Sequence, residues 1–185
     1  MTFSKITGTV YDGALFFTLG DNMEIKVLKN GYKMEEAYKQ LLKKSKGTIK
    51  IDNMEGIFYP YLLIEESIEY KGRLQKNNAK CLCLADLYRG DYSIAKSRGE
   101  FNMIDVDETL IMPIKKDPQE LIDNAGSYIY GEIMREKRMW HNPDIVYIQS
   151  DVIYKPFYVV QCKNEQNQTF HVLFDAVSGG FVMLN

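Results

Sequence analysis

The sequence predicts an α+β protein built from two tandem units, each a single helix packed on a curved antiparallel sheet. Three observations lead there. The chain is rich in residues that suit a half-buried pleated surface, with 13 Tyr and 9 Phe beside a single Trp. Only two stretches carry a helical period, one after Tyr32 and one after Asp117. A pattern of strand, long hairpin, strand, turn and short strand occurs twice, at 49–94 and at 145–184.

In chain order, 3–18 reads as two short strands around Asp12-Gly13, a D-G hairpin signal. Met23 to Leu28 begins as an apolar/polar alternation, as a strand with one buried face should. From Lys33 to Lys46 the period lengthens. Met34, Ala37, Tyr38, Leu41 and Leu42 form one apolar stripe, with Glu35 and Glu36 early, Lys43 and Lys44 late, and Gly47 as a stop. Ile49 to Tyr70 is strand-like, interrupted by Gly56 and Pro60, and Ala79 to Leu87 returns after a polar tip. A proline cannot donate to a ladder, so Pro60 marks an edge, a bulge or a strand start, and pairing of the two units within the chain would leave the edges bearing Pro60 and Pro156 outermost. The polar segment 96–100 is the predicted boundary between units 1–98 and 99–185. Met103 to Ile114 reads as a further strand region. Asp117-Pro118 then opens the second helix with an N-cap followed by proline at the first helical position. Its stripe runs through Leu121, Ile122, Ala125, Tyr128, Ile129, Ile133 and Met134 to a basic end, and Asn142-Pro143 terminates it.

The internal repeat has a register. An offset of 96 equates Pro60 with Pro156, Ile49 with Ile145, Ile57 with Ile153, Phe58 with Tyr154, Tyr61 with Phe157 and Ile64 with Val160. Beyond the hairpin tips an offset of 89 equates Asp86 with Asp175, Gly90 with Gly179 and Tyr92 with Phe181. In each turn the aspartate is expected to cap through its side chain and the glycine to take a positive φ. The segment FHVLFDAVSGGFVML, with Asp175, Ser178 and Gly179 in its turn, resembles the end of a PepSY-type domain. That resemblance implies a small helix-on-sheet fold and a binding or inhibitory role, often outside the cytoplasm.

Composition narrows the function. A net charge of −2 with interspersed signs offers no basic face for a nucleic acid. The N-terminal stretch lacks the apolar core of a signal peptide, and no run approaches the ~18 apolar residues of a membrane span. The expectation is a cytoplasmic protein without a membrane span. Cys81, Cys83 and Cys162 are an odd set with no disulfide framework, and read as small buried thiols. Cys162 and His171 lie on opposite arms of one hairpin and are the one nucleophile–base pair to weigh. A metal site would need those two and Asp175 to converge, without any ligand spacing to support it. Asp105, Asp107 and Glu108 read as a solvated face rather than a paired-carboxylate site.

The reading is a non-catalytic binding module for a protein partner, an inhibitor or assembly factor, with no cofactor and no metal. Its contact residues are expected to be the tyrosines flanking the prolines, Tyr59, Tyr61, Tyr154 and Tyr158, because tyrosine supplies large contact area at low entropic cost. Alternation qualifies that choice, since residues of one strand divide between two faces and half of such aromatics belong to a core. Rival readings are a small-ligand or lipid site in an apolar pocket between helix and sheet, and a Cys162/His171 enzyme. Pairing of the two units within the chain predicts a monomer or weak homodimer.

Overall fold

The computed structural model describes residues 7–11, 14–18, 22–71, 76–136 and 142–184. β1 (Thr7–Tyr11) and β2 (Ala14–Thr18) form an antiparallel hairpin of their own, and the Asp12-Gly13 turn lies outside the described residues. The remaining strands make one eight-stranded mixed sheet. They are β3 (Asn22–Leu28), β4 (Ile49–Lys71), β5 (Lys76–Asp86), β6 (Tyr92–Ala95), β7 (Phe101–Asp107), β8 (Asp144–Asn164), β9 (Thr169–Asp175) and β10 (Phe181–Leu184). The main path runs β10-β9-β8-β4-β5-β6. β3 pairs antiparallel with β7 and touches β8 in parallel at Val27 and Tyr154. Two helices, α1 (Met34–Lys44) and α2 (Pro118–Glu136), complete the chain with a 3₁₀ turn at Glu108–Leu110.

This architecture corrects the expectation of two helix-on-sheet repeats. The sheet dominates, it is continuous, and its centre is the antiparallel pair β4–β8, which runs from Ile49/Asn164 to Glu69/Asp144 with register shifts at Ile51/Asn53 and Glu65/Glu66. Tyr59 and Lys155, which the offset of 96 equates, face one another directly, with Phe58 opposite Pro156 and Pro60 opposite Tyr154. The prolines are therefore central, where the sequence placed them on outer edges. The backbone N and O of one strand residue point to the same side. The Pro60 carbonyl accepts the Leu87 N–H and the Pro156 carbonyl the Ala176 N–H, both at 3.2 Å and both away from the β4–β8 ladder. The missing N–H groups point outward too, so the central ladder loses no donor.

Both helices start where their sequences say, and α1 stops at its predicted glycine; the predicted end of α2 before Asn142-Pro143 lies outside the described residues. The Lys33 N–H donates to Glu36 Oε2 at 2.8 Å, and Asp117 Oδ1 accepts the Gln119 N–H at 3.0 Å. Gly47, at φ 79°, lets the chain leave α1 while its N–H reaches the Leu42 carbonyl. What the sequence did not show is which strands each helix covers. Ala37 and Leu41 of α1 meet Tyr158, Val160 and Cys162 of β8 and Val172 and Phe174 of β9. Leu121, Ala125 and Ile129 of α2 meet Leu62, Ile64 and Ile68 of β4 and Cys83 and Ala85 of β5. Each helix thus covers the hairpin of the other half of the chain.

The lead-in to each helix docks crosswise as well. The N–H groups of Gly31 and Tyr32 both reach the Ala176 carbonyl, and those of Lys115 and Lys116 both reach the Leu87 carbonyl, all at 2.9 Å. Between the helices, Ile25 and Val27 of β3 and Val106 of β7 pack with Phe58 and Tyr154 over the sheet centre. The expected strand at 103–114 is shorter than read. Asp107 accepts the Thr109 N–H to start the 3₁₀ turn, and Ile111 then bridges to Phe58.

The two turns have the geometry expected of them. Asp86 Oδ1 accepts the N–H groups of Tyr88 and Arg89, and Asp175 Oδ1 those of Val177 and Ser178. Gly90 and Gly179 sit at φ 90° and 72°. Their surroundings differ. A Cβ on Gly90 would meet the flexible end of Lys116 at 3.2 Å, whereas one on Gly179 would lie 2.6 Å from the Tyr32 ring. Both Gly→Ala substitutions are expected to destabilise by about 1–3 kcal/mol for the strained φ. Gly179→Ala should be the worse of the two in chemical denaturation, because it also displaces Tyr32 from α1's lead-in. Equal losses would show that the Tyr32 contact carries no energy.

Candidate functional site

The face of the sheet opposite the helices carries an aromatic and charged centre around the Tyr59/Lys155 pair. The Tyr59 hydroxyl meets both carboxylate oxygens of Asp86 at 3.0 Å, and Lys155 Nζ meets Asp175 Oδ2 at 2.7 Å. Each of these paired residues thus reaches the capping aspartate of its own half. Tyr61, Tyr88 and Phe157 ring Tyr59, with centroids 5.3, 5.9 and 6.1 Å away. Burial, then Asp86, pushes the Tyr59 hydroxyl well above the usual phenol range, and burial lifts Tyr61 to about 12. Neither ionises near neutrality. The Tyr59 hydroxyl and the Lys155 ammonium are already engaged with the turn aspartates, so this pair braces the sheet.

The four tyrosines expected at a binding surface divide between the two faces. Tyr59 and Tyr61 are half-buried on the open face. Tyr154 and Tyr158, at 6% and 8% exposure, belong to the helix-side core. Tyr158 donates to the Tyr32 carbonyl at 3.1 Å and stacks near Phe174. Of the four expected contact residues, Tyr154 and Tyr158 are therefore core, because alternation along β8 sends even-numbered residues inward here.

The Cys162/His171 pair does not form. Cys162 is opposite Phe170 and fully buried under α1, whereas His171 is opposite Gln161 and exposed. Burial raises the Cys162 thiol's pKa, away from the thiolate a nucleophile needs. His141 lies outside the described residues. Asp105 is exposed, and Asp107 is committed to Thr109. Among the described residues no group of three or more His, Cys, Asp or Glu side chains could hold a metal ion. No described helix is long and apolar enough to cross a membrane.

The surface with unused capacity is at the other end, where β10 borders the sheet. Phe181, Val182, Met183 and Leu184 are 43%, 55%, 60% and 42% exposed. Among the described residues no strand pairs with the outer side of β10. The Gly180 carbonyl accepts the Asp175 N–H at 2.8 Å, so Gly180, Val182 and Leu184 address β9. By alternation the backbone groups of Phe181 and Met183 face outward. An edge of this kind is a pairing template; β10 is only four residues long, but within it no charge, proline or bulge blunts the edge.

Beside that edge lies a cleft of about 660 Å³, walled by Leu41, Ile49, Phe170, Val172, Phe181 and Met183. Its origin is a difference in helix length. Lead-ins 31–32 and 115–116 correspond, which aligns Leu41 with Ala125, yet α1 stops at Lys44 after 11 residues and α2 runs for 19. In the α2 half, Ile129 and Ile133 fill the space over Ile68 and Cys81. In the α1 half that space is the cleft. Lys44 stands at its rim, its Nζ 4.9 Å from the Phe181 ring. The run FVML was visible in the sequence as a terminal strand. Nothing there showed that no strand or helix would cover it.

Compared with protein-family models, curated proteins and solved structures, the chain finds no match. The PepSY-type resemblance therefore rests on the sequence motif alone, the segment with Asp175, Ser178 and Gly179 and its looser counterpart at Asp86 and Gly90.

The open-face centre yields a test with a defined pH dependence. Asp175 is partly buried, which pushes its carboxyl up, but hydrogen bonds from Lys155, Ser178 and the turn backbone outweigh this and hold it below the usual value of 3.8. A depressed folded-state pKa stabilises at neutral pH, and that contribution is lost as pH falls through it. Lys155→Met is expected to cost about 1–2 kcal/mol at pH 7. The deficit should shrink in urea titrations run below pH 3.8, as Asp175 protonates. A deficit independent of pH would assign the loss to the aliphatic contacts of Lys155 instead.

Proposed function

We propose that this protein is a non-catalytic binding module that takes an extended, apolar segment of a protein partner by strand addition at β10. The single observation that carries the reading is the unpaired β10 edge, apolar on both of its faces and continuous with the cleft. Strand addition draws affinity from main-chain hydrogen bonds and specificity from pockets for alternate side chains. Here Phe181 and Met183 offer the main-chain groups, and the same two side chains line the cleft that would receive every second residue of the guest. Lys44 at the rim favours an acidic residue next to the apolar ones. Masking such a segment is the action of an inhibitor or an assembly factor, and both are consistent with this surface.

A second reading, a small apolar ligand or lipid chain held in the cleft alone, is favoured by the cleft's volume, which falls in the range of about 300–1,000 Å³ typical of ligand sites. One substitution separates the two. Met183→Pro removes only an outward-facing N–H and leaves the β9 ladder intact.

The experiment is selection from a displayed library of random octapeptides, followed by calorimetry on the enriched sequences with wild type and Met183→Pro. The expected enrichment alternates apolar residues and includes an acidic one. Met183→Pro should weaken binding at least tenfold without lowering the melting temperature. Absence of enrichment, or binding indifferent to the proline, sinks strand addition. Uptake of a fluorescent fatty acid unaffected by the proline would support the small-ligand reading. A tight dimer in sedimentation that Met183→Pro dissociates would show that the guest of β10 is a second copy of this chain, which overturns the proposal of a different partner.

A further inference from the structure

Glu65 and Glu66 are adjacent on β4, point to opposite faces of the sheet and are treated oppositely. Glu65 accepts from Lys80 at 2.6 Å, Gln149 at 2.7 Å and Arg98 at 3.2 Å, and these partners hold its carboxyl below the usual range. Glu66 is 2% exposed under α2, and its Oε2 has no hydrogen-bond partner. It is the one buried side-chain oxygen or nitrogen among the described residues left in that condition. An unsatisfied buried carboxyl costs several kcal/mol by order of magnitude, so its place beside a cavity calls for an explanation.

The cavity measures about 350 Å³ and is lined by Glu66 together with Gln119, Asp123 and Gly126 of α2 and Ile145 and Tyr147 of β8. Gln119 Nε2 donates one N–H to Asp123 Oδ1 at 2.8 Å, and the Tyr147 hydroxyl shares a hydrogen bond with Ser150 Oγ at 3.0 Å. Among the described residues no Lys, Arg or His lines it. Two carboxyls with apolar walls and no resident cation suit a guest that brings both positive charge and N–H donors. The helix is shaped to leave the room. Gly126 is an unfavourable residue inside α2, and a Cβ there would stand 3.5 Å from Glu66 Oε2 and 3.7 Å from Ile145.

We propose that this cavity binds a small organic ammonium ion, R–NH3+, with its head group donating to Glu66 and its alkyl part against Ile145. Asp123 supplies a second negative charge across the cavity from Glu66. The charged form of Glu66 is required, and burial pushes its carboxyl above the usual range. Affinity should therefore fall as pH drops through that raised value, because the protonated acid carries no charge. The other titratable groups that face Glu66 are Asp123 on α2, Tyr147 on β8 and the thiols Cys81 and Cys83 on β5. Burial and the charge of Glu66 raise both thiols, so they stay neutral where Glu66 titrates.

The test uses n-pentylammonium chloride as probe, with sodium chloride and 1-pentanol as controls, followed by amide NMR shifts of the intact chain. Saturable shifts centred on Gly126 and Ile145 are expected with the ammonium, at least tenfold tighter than with the alcohol and absent with sodium chloride. Glu66→Gln should weaken the ammonium at least tenfold and keep or raise the melting temperature, since it removes an uncompensated buried charge. Gly126→Ala should also weaken binding at least fivefold while raising the melting temperature, because it fills the space beside Oε2 with a better helix former. It keeps the test decisive if Glu66→Gln fails to fold. Equal binding of the alcohol, no saturable shift, or undiminished binding in either folded variant overturns the proposal.

Discussion

The structure depends on one pairing, the ladder between β4 and β8. Each strand is too long to be satisfied by its own hairpin. β5 covers β4 only from Tyr61 onward, and β9 covers β8 only from Phe157 onward. The first half of each strand would stand as a bare edge in an isolated unit. Joining the two halves satisfies both with one set of hydrogen bonds and closes the most exposed aggregation templates in the chain. The prolines fit this arrangement because their missing donors point outward, where β5 and β9 have just ended.

Sharing a sheet changes what each helix can reach. α1 and α2 lie on the same side, and the lead-in of each is fixed by two N–H groups on one carbonyl of the opposite half's turn. That places the helices crosswise and leaves the central strip to Ile25, Val27 and Val106. Once the helices are so fixed, their lengths decide the surface. The longer α2 completes a core over β4 and β5, and the shorter α1 stops before β10 is covered. The exposed edge and its cleft follow from that shortfall.

The two faces of the sheet do different electrostatic work. On the open face every carboxylate near the centre is answered. Asp86 takes Tyr59, Asp175 takes Lys155, Glu65 takes Lys80 and Arg98, and Asp151 pairs with Lys26. On the helix face Glu66 is left without a partner and with a cavity beside it. Satisfied pairs of this kind brace a structure, whereas the unpartnered Glu66 Oε2 is the group that the proposed ammonium ion would pair.

By itself the sequence determined the local elements. The Lys33–Lys46 stripe with its acid-to-base order, the Asp117-Pro118 helix start and the Asp86/Gly90 and Asp175/Gly179 turns depend on contacts within a few residues, and all were legible. The offset of 96 was legible too, but not that the two positions it equates at its centre, Tyr59 and Lys155, pair with one another in a single sheet. Tertiary structure alone decided which hairpin each helix covers, that Tyr154 and Tyr158 are core while Tyr59 and Tyr61 are not, and that Cys162 and His171 face apart. It also decided that, among the described residues, Phe181 to Leu184 have no cover and Glu66 Oε2 no partner. Periodicity reports which residues share a face. It cannot report what lies against that face, because this is set by pairings 75 to 115 residues apart in the chain.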